Sequence, residues 1–163
     1  MSFWKLIKGI NFKQIVSLGK FFLKHPILMF ATLQATSKTM KIVQKEYPDI
    51  HGEHNKANAF RHALWNSLIA LRCAKKEKNH IAVVSWTKKI TDWHEDFSPN
   101  IALARAMDLH NNRIGRELFL KLGNASEKEI IKELKSKLDI AVQVELLNDL
   151  DQNLSELVFI HHD

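Results

Sequence analysis

Few residues in this chain can turn it sharply. Its 163 residues include five glycines and three prolines, about 5% of the chain against roughly 12% in an average protein. Sandwiches and barrels need tight turns at short intervals, and glycine and proline supply most of them. Their scarcity leaves long helices joined by few loops. The length suits one domain, and a globule of this size buries roughly 70% of the surface its unfolded chain exposes. With 45% hydrophobic and 26% charged residues, the composition lies near globular averages and excludes wholesale disorder. The single cysteine, Cys73, excludes an intramolecular disulfide and a multi-cysteine zinc site. Its neighbours Ala70, Leu71 and Ala74 mark it as a small buried hydrophobe.

The breaks that exist divide the chain into helices. Pro26 ends or starts one, because its ring removes a donor and crowds the preceding turn. A helix then runs from about Ile27 to Lys45 and stops near Tyr47-Pro48, and the loop 48–55 follows. Further helices are expected over about 57–76, over 80–97 with a stop at Ser98-Pro99, and from Pro99 to 122 with a stop at Gly123-Asn124. Ser126-Glu127-Lys128-Glu129 is a capping box. Ile130, Leu134, Leu138, Ala141, Val142 and Leu146 follow it at helical spacing. The expected fold is all-α: a compact single-domain bundle of about six helices spanning 1–163. Basic, apolar helices occupy 1–47, a motif-bearing core 55–122 and a C-terminal helix region 126–160.

Charge is unevenly placed. The net charge is +6, yet Met1 to Lys45 holds eight lysines and no acidic residue, leaving 16 basic against 18 acidic residues beyond it. Such a segment expects an anionic partner. Large apolar side chains, among them Phe3, Trp4, Phe12, Phe21 and Phe22, interleave with the lysines. That make-up fits an anionic membrane surface; nucleic acid is the alternative partner, though its binding arms more often use arginine. Lys20, Lys24 and Pro26 interrupt any transmembrane span, and Lys24-His25-Pro26 breaks the apolar stretch that a signal peptide would need. The expected location is cytoplasmic or peripheral to a membrane, with secretion left open.

Three polar clusters fall on apolar helices. Asn58, His62 and Asn66 stand at i, i+4 and i+8 with Arg61 beside them, a stripe on an otherwise buried helix. Asparagine and histidine are poor helix formers and give less solubility than lysine, which favours an internal cleft over an outer face. Thr91-Asp92-Trp93-His94-Glu95-Asp96 gathers three carboxylates around a histidine. His94 and Glu95 are adjacent, about 100° apart on a helix, so both cannot face one ion from mid-helix. Arg105, Asp108, Asn112 and Arg116 align on one face of the next helix, which also carries His110 and Asn111. Gly115 there costs about 1 kcal/mol relative to alanine and implies a close approach of another backbone or a ligand. A buried Asn111 needs partners, and the His62 stripe is the expected source. Short connections make these helices antiparallel neighbours, so the stripes can converge.

The series Asn-Ala-Phe-Arg-His-Ala-Leu-Trp-Asn (58–66), Asp-Trp-His-Glu (92–95) and Met-Asp-Leu-His-Asn-Asn-Arg-Ile-Gly-Arg-Glu (107–117) resembles an uncharacterised bacterial domain family. Members of that family occur as short standalone proteins and as C-terminal domains of Rhs-type and wall-associated polymorphic secreted toxins. The resemblance implies that Arg61, His62, Trp65, Asn66, His94, Glu95, Asp108, His110, Asn111, Asn112 and Arg116 carry a shared function. The toxin context implies a hydrolase with an envelope or nucleic-acid target.

Three functions are compatible with this pattern. The leading one is a hydrolase of a phosphoester or ester at a membrane surface. In it His62, His94, Glu95, Asp108 and His110 form the catalytic set, and Asn58, Arg61, Asn66, Asn111, Asn112 and Arg116 contact substrate. A divalent metal fits that chemistry, with His62, His94 and Asp108 as its ligands, although no two histidines stand at i, i+4 to demand one. The alternatives are a nuclease, and a non-catalytic membrane-associated module whose buried polar network fixes helix register. Oligomeric state is left unread.

Overall fold

The computed structural model describes residues 12–48, 54–97, 100–123, 125–153 and 155–161. Within them the chain forms seven helices: α1 (Phe12–Lys24), α2 (Pro26–Glu46), α3 (Lys56–Ala74), α4 (His80–Phe97), α5 (Ala102–Leu122), α6 (Glu127–Asp139) and α7 (Leu147–Gln152). Two two-residue strands, β1 (Val142–Gln143) and β2 (Val158–Phe159), pair in parallel with Val142 opposite Val158. The all-α class holds. Most of the loop 48–55, Ser98-Pro99, Asn124, the first eleven residues and His162-Asp163 lie outside the described residues.

Local chemistry sets the helix ends. Pro26 opens α2, where its missing N–H costs no intrahelical bond. Asn55 caps α3 by accepting from the Asn58 amide at 3.0 Å. Gly123 closes α5 with φ of 58°, a conformation that glycine adopts without strain. The capping box at α6 forms as expected, Ser126 taking the Glu129 amide and Glu129 the Ser126 amide.

The central rod is α3, which packs on α2, α4, α5, α6 and β2. Phe60, Leu64, Leu68, Ile69 and Cys73 are fully buried on it, so burial raises the Cys73 thiol to about 11. Two threonines of α2 accept indole N–H groups from neighbours: Thr36 from Trp65 at 2.8 Å and Thr32 from Trp86 at 3.0 Å. α1 holds on by Phe21, set edge-on to Trp86 and Trp93. It buries none of its own residues, and Phe12, Ile15, Val16, Phe22 and Leu23 stay exposed beside Lys13, Lys20 and Lys24. No described helix is long and apolar enough to cross a membrane.

Two expected boundaries are corrected. The helix expected from Pro99 begins at Ala102, with Ile101 in an extended conformation before it. The apolar repeat after the capping box does not continue as helix to Leu146: α6 stops at Asp139, and Val142 becomes a strand residue. The reason lies on α5. Asn111 binds both backbone groups of Val158, donating to its carbonyl at 2.9 Å and accepting its amide at 3.0 Å. That anchors β2 for β1 to pair with, and Val142 and Val144 amides then donate to Leu157 and Phe159 carbonyls.

Candidate functional site

His62, Glu95 and Asp108 come from three different helices and meet where α3, α4 and α5 converge. One ligand-type atom from each lies within 4.8 Å of the others. All three are buried, with 3%, 1% and 3% of their surface exposed. A close α3–α5 approach makes this meeting possible. Ser67 on α3 donates to the Gly115 carbonyl of α5 at 2.8 Å, with the Ala63 carbonyl at 3.0 Å. Gly115 therefore has the close backbone neighbour that its position in mid-helix implied.

The hydrogen bonds fix the tautomer of His62. Arg61 can only donate, and its Nη2 lies 2.9 Å from His62 Nε2, so Nε2 holds the lone pair. Nδ1 then carries the proton and donates to Asn112 Oδ1 at 3.2 Å. Burial drives the imidazole well below its ordinary pKa, and the charges of Arg61 and His94 add to the effect, so His62 is neutral. Its approaches to Glu95 Oε1 at 3.5 Å and Asp108 Oδ1 at 3.3 Å are therefore not ion pairs.

The two carboxyls are shifted the other way. Burial raises Glu95 to about 7, against the hydrogen bond it accepts from Asn112 Nδ2 at 3.1 Å. Burial raises Asp108 to about 7 as well, with the Glu95 charge adding to it and Arg61 opposing. Asp108 Oδ2 accepts from Asn100 at 3.1 Å, whereas Asp108 Oδ1 is buried with no hydrogen-bond partner. An orphaned buried acceptor costs about 1–3 kcal/mol.

Behind this triangle runs a fully partnered network. Asn66 Nδ2 donates to Asn112 Oδ1 at 2.6 Å, and Asn66 Oδ1 accepts from Arg116 at 2.9 Å and Thr91 at 3.1 Å. Arg61 closes the other end, donating to Asn58 Oδ1 at 2.7 Å. It is half-buried, as is Asn100, so these two residues border the site toward solvent.

The residues singled out from the sequence divide into groups. Asn58, Arg61, His62, Asn66, Glu95, Asp108, Asn112 and Arg116 share this one network. His94 does not join the converging ligand atoms; it is exposed and edge-on to the Trp65 ring, with centroids 5.2 Å apart. Adjacent on one helix, His94 and Glu95 cannot both point inward, and the inward residue is Glu95. His110 and Asn111 turn to the C-terminal segment, His110 Nε2 binding the Glu156 carbonyl at 2.8 Å. The partners expected for Asn111 in the His62 stripe are instead the Val158 backbone groups. Arg105 leaves its expected face for Asp96. Thr91 and Asn100 were not among the expected site residues. Thr91 had a signal, standing four residues before Glu95 on the same helical face; Asn100 sits in a loop, where periodicity gives none.

Compared with known proteins, residues 19–142 match the model of a family described as a domain of unknown function (DUF6973), a span from within α1 to β1. No curated protein and no solved structure matches the chain.

Proposed function

We propose, for a chain that belongs to the DUF6973 family, that it is a hydrolase of a phosphoester or ester group at an anionic membrane surface. The observation behind this reading is the buried triangle of His62, Glu95 and Asp108, with one carboxylate oxygen left unsatisfied. Thr39 Oγ1, Asp92 Oδ1, Trp93 Nε1 and Glu156 Oε2 are also buried without a partner, but among the described residues Asp108 Oδ1 is the one that belongs to a cluster of His, Glu and Asp ligand atoms. An oxygen kept without a partner beside a neutral imidazole and a guanidinium suits a reacting group.

In this reading the triangle activates the attacking water and accepts its proton. Asn112 is a positioning residue, because its amide holds both the His62 ring and the Glu95 carboxylate. Arg61, at the solvent border, faces the negative charge that grows on the ester oxygen. The exposed apolar residues of α1, set among lysines, would bring the protein to an anionic lipid surface. A place among secreted toxins belongs to the same proposal, since hydrolysis of an envelope lipid is the chemistry such a domain needs.

The test is turnover by the purified full chain on phospholipid vesicles, on small phosphoesters and esters, and on DNA and RNA. Hydrolysis of the ester or lipid substrates that falls by at least about a hundredfold in Asp108→Asn supports the reading. Cleavage of nucleic acid alone replaces it with the nuclease, and activity that survives loss of His62, Glu95 and Asp108 alike ends it.

A further inference from the structure

We propose that His62, Glu95 and Asp108 hold a single divalent cation of the zinc or manganese type. The ligand set differs from the one expected from sequence, with Glu95 in place of His94. An imidazole with two carboxylates suits such ions better than calcium or magnesium, which prefer oxygen alone.

Four observations carry the site. First, Nδ1–H of His62 is committed to Asn112, which leaves the Nε2 lone pair on the side of Asp108. Asp108 Oδ1 stands 3.3 Å from that nitrogen. A tetrahedral ion with ligands at about 2.0–2.1 Å separates neighbouring ligand atoms by roughly 3.4 Å. Second, Asp108 is oriented through one oxygen by Asn100, while its other oxygen is buried without a hydrogen-bond partner. Third, one amide supports two ligands: Asn112 accepts from His62 and donates to Glu95, the outer-shell support that metal ligands usually have. Fourth, a cation already stands there, because Arg61 Nη2 is 2.9 Å from Nε2 while also bound to Asn58. Arg61 is only half-buried, and an ion that binds here takes its place beside the carboxylates. Three protein ligands leave a coordination position for water. The site stands without the hydrolase reading; where that reading holds, the ion-bound water is the nucleophile.

The test uses the full chain, stripped with chelator and titrated with Zn²⁺, Mn²⁺ and Mg²⁺ by calorimetry, with ion content measured after dialysis. The expected result is one tightly bound Zn²⁺ or Mn²⁺ per chain and weaker Mg²⁺. Affinity falls at least about tenfold in Glu95→Gln and in Asp108→Asn, and is unchanged when His161 and His162 are both replaced by alanine. The absorption spectrum of the Co²⁺-loaded wild type reads the coordination geometry and needs no variant to fold. No binding, binding lost only with the tail histidines, or the spectrum of a fully hydrated ion overturns the proposal. An ion bound without turnover counts against the hydrolase alone, and turnover undisturbed by chelator counts against the ion alone.

Discussion

A Cβ built on Gly115 would lie 2.1 Å from the Ala63 carbonyl oxygen and 2.8 Å from its carbon. Both obstacles are backbone, so no side chain can swing away to make room. Gly115→Ala is expected to force α3 and α5 apart and to destabilise the fold by about 3 kcal/mol or more. That corresponds to a fall in Tm of at least about 6 °C by circular dichroism. An unchanged Tm would show that the contact is looser than described.

Asn112 has one carbonyl and one amide, and it spends both on the site. Asn112→Ala strands His62 Nδ1–H, Asn66 and Glu95, at about 1–3 kcal/mol for each group left unpaired. Asn112→Asp keeps the acceptor but sets a carboxylate against Glu95. Divalent-ion affinity is expected to fall about 10- to 100-fold in Asn112→Asp. Equal affinity in the wild type and this variant, by calorimetry, refutes the positioning role.

Charge in the site costs stability when Arg61 is the sole cation beside the two carboxyls. Glu95 and Asp108 stand at about 7 in the fold, raised from ordinary values of 4.5 and 3.8. The folded state therefore keeps protons that the unfolded chain loses first. The stability this gives is fully present below about pH 4 and is lost as pH rises through about 7. With chelator present, the wild-type Tm is expected to fall between pH 5 and pH 8 more steeply than that of the Glu95→Gln, Asp108→Asn double variant. The double variant is expected to be the more stable protein at pH 8. Parallel Tm profiles contradict this.

The Asn111–Val158 clamp predicts a structural phenotype at two positions that sequence patterning grouped with the site. Asn111→Ala leaves a buried N–H and a buried carbonyl without partners, a loss of about 2–4 kcal/mol, or about 5–15 °C in Tm. Hydrogen exchange should quicken at the Val142 and Val144 amides, which pair with the clamped segment. His110→Ala is expected to keep ion affinity within about twofold, because its ring is turned to the Glu156 carbonyl and not to the converging ligand atoms. A large loss of affinity there would place His110 in the site.

Much of this was legible in the residues. Helix periodicity and glycine–proline scarcity give the all-α class, and i, i+4, i+8 spacing gives the buried Asn58–His62–Asn66 stripe. The adjacency of His94 and Glu95 restricts the inward side chain to one of them, but the choice depends on how α4 is rotated against α3, which local pattern does not encode. Apolar spacing of three and four residues continues past Asp139 and predicts helix at Val142, where the chain forms a strand. What overrides it is a long-range partner, the Asn111 amide, and no local propensity reports a bond across 47 positions. The division of α5 into site residues (Asp108, Asn112, Arg116) and clamp residues (His110, Asn111) has the same origin. Both sets are polar and buried, and only the packing of neighbouring elements tells them apart.

The amides of Ile160 and His161 both donate to the His54 carbonyl, at 2.8 and 3.0 Å, one residue before the cap of α3. The two ends of this latch are more than a hundred positions apart, so ring closure is slow and entropically expensive. A nascent polypeptide has already produced α3, α4 and α5 before its latch can fasten. The start of the His62 helix is therefore tied down only after both sides of the Ala63–Gly115 crossing have been synthesised.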